Sequence, residues 1–113
     1  TRLLTKDHSL VQRLVDLGQI SEKRAAVDPR RTILYRALGQ LEPLEPDVAT
    51  VEFPGNTVLL ICSDGLWGVI DEGQIERIIN SSNDLERTVE KLVEVANHAG
   101  GPDNISAILV EWK

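Results

Sequence analysis

Two aspartates in this sequence stand where a carboxylate could do chemistry. Asp64 follows the unbroken apolar run Val58-Leu59-Leu60-Ile61-Cys62 and Ser63, and it precedes Gly65-Leu66-Trp67. Asp103 follows the break Gly100-Gly101-Pro102 and precedes Asn104 and a second apolar stretch from Ile105 to Trp112. One marks the end of a strand-like segment and the other the beginning of one. If the two strands are antiparallel neighbours, both carboxylates share one end of the sheet. No Lys or Arg lies within several residues of Asp64, and the nearest basic group before Asp103 is His98. Close carboxylates repel, and protonation or a bound cation relieves them. Hard oxygen donors suit Mg2+ or Mn2+. An Asp-Gly pair after a strand is also an ordinary turn. Asp64 alone leaves turn and ligand both open, and the second point at Asp103-Asn104 strengthens the ligand reading.

Other chemistries fail on detail. Haloacid-dehalogenase phosphatases end an apolar strand in Asp-x-Asp-Gly, but here Cys62 occupies the nucleophile's place. The magnesium-positioning strand of a P-loop ATPase needs a GxxxxGK[ST] loop, which this chain lacks. Cys62 is the single cysteine, so no disulfide can form within one chain. In an apolar run it reads as core filler.

The elements that must position these residues follow from periodicity and punctuation. Asp7-His8-Ser9 opens a helix with Leu10, Val11, Leu14, Val15 and Leu17 on one face and Gly18 as its stop. Ser21 caps a short helix through Ala26, which Pro29 ends. Thr32 to Tyr35 reads as a strand entry, and Glu42 to Pro46, with two prolines, as a loop. Val48 to Phe53 alternates like a half-buried strand, and Pro54-Gly55-Asn56 turns it into Thr57 to Cys62, so an antiparallel hairpin is predicted. Asp71 caps a helix from Glu72 to Asn80. A longer helix runs from about Asp84 to His98, and Ile105 to Trp112 forms the last strand. The class is α+β, antiparallel strands with packed helices.

Composition narrows the function classes. The chain has 113 residues, 42% of them hydrophobic, with a formal charge of −6. That suits one globular domain of modest core and excludes the basic face of a nucleic-acid binder. No apolar run reaches the roughly 18 residues of a membrane span, and no signal peptide is visible. The lone cysteine favours a reducing, cytoplasmic setting. The chain starts at Thr1 and contains no Met, so the expectation is a piece cut from something longer.

Ser63-Asp64-Gly65-Leu66-Trp67 and Gly101-Pro102-Asp103-Asn104-Ile105-Ser106 resemble two signature motifs of the metal-dependent serine/threonine protein phosphatases of the type 2C or PPM family. The interval of two helices between them also matches. Thr5-Lys6-Asp7-His8-Ser9-Leu10-Val11, with Leu14, Val15, Gly18, Ile20 and Ser21, reads like the bacterial branch, and Arg36-Ala37-Leu38-Gly39 continues the likeness. The resemblance covers nearly the whole chain. It implies an αββα sandwich with two or three Mn2+ or Mg2+ ions between its sheets. The implied reaction is in-line attack of a metal-activated water on phosphoserine and phosphothreonine proteins, among them a cognate kinase.

Carried over by position, the resemblance makes Asp64 and Asp103 metal ligands. Asn104 braces the ligand loop by hydrogen bonds, Gly65 lets the backbone bend beside the metal, and Trp67 packs beneath it. No catalytic side chain is implied beyond the metal ligands. The family's early acidic strand residue, its bridging Asp-Gly motif and its phosphate-binding Arg have no counterpart between Thr1 and Lys113. The expectation is therefore the C-terminal half of one catalytic domain, inactive alone. Asp28-Pro29-Arg30-Arg31-Thr32 falls in the flap beside the family's active site, where relatives often carry His-Pro. Arg30 and Arg31 are candidates for meeting a phosphoprotein, and His8 for a structural role. The competing reading is a phosphatase-like interaction module without catalysis, which the intact Asp64 and Asp103 disfavour. An Asp-Gly-x-Gly-Gly motif upstream of Thr1 would separate the two.

Overall fold

The computed structural model describes residues 1–40 and 43–113. It comprises two compact units, Arg2–Val51 and Glu52–Lys113 with Thr1.

In the first unit Ser9 leaves extended backbone and its hydroxyl accepts from the Gln12 amide at 3.2 Å, starting α1, Leu10–Asp16. Gly18 at φ 68° ends it as predicted. Ser21 caps α2, Glu22–Ala26, through the Arg24 amide. The strand entry expected at Thr32 to Tyr35 is not formed. Asp28 caps a 3₁₀ turn over Pro29–Thr32 instead, with proline at its start. Proline's fixed φ and the Asp28 cap favour a turn here over β propensity. Only a single antiparallel bridge, Ser9 to Leu34, remains of the strand. Of the loop expected at Glu42 to Pro46, Glu42 lies outside the described residues, and the rest has no regular structure.

The predicted hairpin between Val48–Phe53 and Thr57–Cys62 is likewise absent. Residues 48–53 form no strand, and Val48 is 90% exposed. Alternation makes a strand only where a partner takes its hydrogen bonds. Here β1, Thr57–Cys62, pairs with β2, Ala107–Trp112.

The two strands are antiparallel, in register from Thr57 opposite Trp112 to Cys62 opposite Ala107. Between them lie the short α3, Asp64–Trp67, then α4, Glu72–Asn80, and α5, Leu85–His98. Asp71 caps α4 as predicted and closes a reciprocal capping box with Gln74, and Asp84 caps α5. Ile75 on α4 and Leu92 and Ala96 on α5 meet Leu66 and Ile70 in the core. One sheet face, with Leu60, Cys62, Ala107 and Leu109, packs against that core. The other shows exposed Ile61, Ile108, Val110 and Trp112. The last strand begins at Ala107, later than Ile105, because Ile105 packs on the core and Ser63 takes up the Ser106 amide.

Candidate metal centre

The antiparallel register decides where the two aspartates fall. Cys62 faces Ala107, and one residue further the Ser63 amide donates to the Ser106 carbonyl at 3.0 Å. The Ser63 hydroxyl donates to the Asn104 carbonyl at 3.1 Å and accepts from the Ser106 amide at 3.0 Å. Asp64 and Asp103 therefore extend from backbone segments tied together at one end of the sheet. Both are exposed. Asp64 starts α3, so the turn and the carboxylate are two aspects of one feature. Asp103 accepts from the Asn104 amide at 2.7 Å through Oδ1, which fixes its direction.

Two expected roles, those of Gly65 and Trp67, are realised differently. Gly65 does not sit in the left-handed region, so no sharp bend demands it. A Cβ there would lie 2.2 Å from the Asn104 carbonyl oxygen. Glycine is required because two backbones touch. Asn104 hydrogen-bonds within the loop through its main chain: its carbonyl accepts from the Ser63 hydroxyl and its amide donates to Asp103. Trp67 is 55% exposed, while the adjacent Leu66 is fully buried and anchors the helix in the core. The residue that sequence reasoning missed is Ser63. A serine between a strand and an Asp-Gly pair looks like any turn residue.

Among the described residues no group of three or more His, Cys, Asp or Glu side chains could hold a metal ion. Asp64 and Asp103 fit a hard divalent cation by donor type, and they supply a minority of the roughly six oxygens it takes. Cys62 is half-buried, and burial pushes its thiol pKa up, as suits a packing residue and not a nucleophile.

The flap candidates belong to the other unit. Arg30 grips Asp28 through Nε and Nη2 at 2.9 and 2.8 Å, and its amide donates to the same carboxylate. These hydrogen bonds hold the Asp28 carboxyl far below the usual carboxylate range and raise the Arg30 guanidinium. Because the folded value is depressed, this contribution to stability is complete above the unfolded carboxyl's pKa of about 4 and fades as pH falls below it. Arg30 is thus committed to its own turn. Arg31 is exposed and makes no ion pair among the described residues. His8 bonds Asp47 through Nε2, and Arg36 reaches the same carboxylate at 3.2 Å. The His8 hydrogen bond, with Lys6 and Arg36 nearby, lowers the Asp47 pKa. The structural role expected of His8 is the one its contacts describe.

No family model matches the chain. The serine/threonine phosphatase Stp of Listeria innocua is 43% identical over 110 residues, 97% of this chain and 44% of that protein. The solved serine/threonine phosphatase of S. agalactiae matches with a TM-score of 0.95 at 37% identity, covering 99% of this chain and 46% of that one. Over nearly its whole length the chain is similar to one part of these serine/threonine phosphatases. It spans under half the length of the relatives it matches. A further solved neighbour, the catalytic domain of the serine/threonine protein phosphatase PstP in complex with two manganese ions, matches at a TM-score of 0.79 and 31% identity. It covers 94% of this chain and 43% of that one. The α+β expectation holds, and the architecture is that of this part of the PPM fold.

Proposed function

We propose that the complete protein removes phosphate from phosphoserine and phosphothreonine proteins in the cytoplasm, a cognate kinase among them, using Mn2+ or Mg2+. Asp64 and Asp103 would supply two of the carboxylates that hold the cations. The observation that carries this reading is the pair of aspartates on two backbone segments joined at one sheet end. They stand in a chain similar over nearly its whole length to serine/threonine phosphatases, one of them solved with manganese. When bound, such cations lower the pKa of water and offset charge on the transferring phosphoryl group. Asp64 and Asp103 contribute fixed negative charge, and the Asn104 amide orients the Asp103 carboxylate. The rest of the cation's shell would come from outside this chain, so these residues alone should turn over no substrate.

The test is phosphate release from a phosphoserine protein by the complete enzyme with Mn2+, abolished by chelation. No release with Mn2+ present would overturn the reading. Arg31 supports a narrower point, since a free surface cation steers large anionic partners and does little for the chemistry. Arg31→Ala should lower kcat/KM for the phosphoprotein by about three- to tenfold and change that for an aryl phosphate less than about twofold. Equal losses on both substrates would remove Arg31 from substrate recognition.

A further inference from the structure

We infer that Ser63 is a positioning residue for the cation site: its hydroxyl sets the relation between the Asp64 and Asp103 segments. This rests on the reading of those aspartates as ligands. Ser63 occupies the N-cap position of α3 in extended backbone, φ −78° and ψ 166°, yet its side chain makes no capping hydrogen bond. Among the described residues, the caps of the four other α-helices, Ser9, Ser21, Asp71 and Asp84, each use the side chain to accept a helix amide. At Ser63 the hydroxyl turns away from that task. Its proton goes to the Asn104 carbonyl and its lone pair takes the Ser106 amide.

One side chain therefore uses both hydrogen-bonding capacities on the strand entry that carries Asp103. The chain of contacts is short. Asp64 follows Ser63 directly, the Ser63 hydroxyl holds the Asn104 carbonyl, and the Asn104 amide holds the Asp103 carboxylate. Gly65 presses against the same Asn104 carbonyl from the next residue along. Without the hydroxyl, the Asn104 carbonyl and Ser106 amide lie in an exposed region where water can replace their partner. The register of β1 and β2 survives on its own ladder. What is lost is the fixed spacing of the two carboxylates, and groups that orient metal ligands are typically worth 10–100-fold in affinity.

The experiment is calorimetric titration of the complete protein with Mn2+ in four forms: wild type, Ser63→Ala, Ser63→Thr and Ser63→Cys. Hydrogen exchange at the Ser106 amide is followed alongside. Ser63→Ala and Ser63→Cys should weaken Mn2+ binding by about tenfold or more and speed Ser106 exchange. Ser63→Thr, which keeps the hydroxyl, should stay within about threefold of wild type. Wild-type affinity in Ser63→Ala, or in Ser63→Cys should the alanine variant fail to fold, overturns the inference. So does a loss in Ser63→Thr as large as that in Ser63→Cys. Asp64→Asn serves as the reference. If it too leaves Mn2+ affinity unchanged, the ligand reading itself has failed. If it abolishes binding while Ser63→Ala does not, only the positioning role has.

Discussion

Asp64→Asn or Asp103→Asn in the complete protein lowers phosphatase turnover by at least about 100-fold at limiting Mn2+ and leaves the melting temperature nearly unchanged. Both carboxylates are exposed, and neither forms an ion pair among the described residues. Little of the fold depends on their charge. The one hydrogen bond at stake, from the Asn104 amide to Asp103 Oδ1, can still be accepted by an asparagine oxygen. A cation site built from hard oxygen donors, in contrast, loses a full negative charge with each substitution. Steady-state rates across a Mn2+ series, beside thermal melts, separate the two effects. Near-normal turnover in either variant would mean that the ligands are elsewhere.

Gly65→Ala should cost about 2–4 kcal/mol of stability. The new methyl would lie 2.2 Å from the Asn104 carbonyl oxygen and 3.0 Å from its carbon. That carbonyl is backbone and is held by the Ser63 hydroxyl, so no flexible side chain can swing aside. Relief requires the β2 entry to move away from α3, which drags on the buried Leu66. Equilibrium unfolding in urea measures the loss. A change below about 0.5 kcal/mol would show that the two segments separate freely, and the account of a tightly held ligand end would go with it.

How much of this was legible in the sequence depended on whether the cause was local. Helix starts were readable, because Ser9, Ser21, Asp71 and Asp84 act on amides three residues away. The placement of Asp64 and Asp103 at one end of the sheet was readable from two apolar runs and the assumption that they pair. Strand pairing itself was not. Val48 to Phe53 has the alternation of a strand and a turn after it, but β1 found its partner about fifty residues downstream at β2. Pairing is a non-local choice that a short window cannot contain. The Asp28 cap similarly reversed the expectation at Thr32 to Tyr35, since Asp-Pro chemistry overrode β propensity. Arg30 looked like a free surface cation until the structure showed Asp28 holding it. Ser63 and the true reason for Gly65 both lie in contacts across some forty residues, where composition carries no trace of them.

Whether Asp64 and Asp103 together hold a divalent cation is read out by anomalous diffraction from crystals of the complete protein grown with Mn2+. A manganese peak is expected about 2 Å from a carboxylate oxygen of each aspartate, or from each through one of two adjacent ions. Manganese peaks elsewhere in the molecule, with both carboxylates turned to solvent, would contradict it.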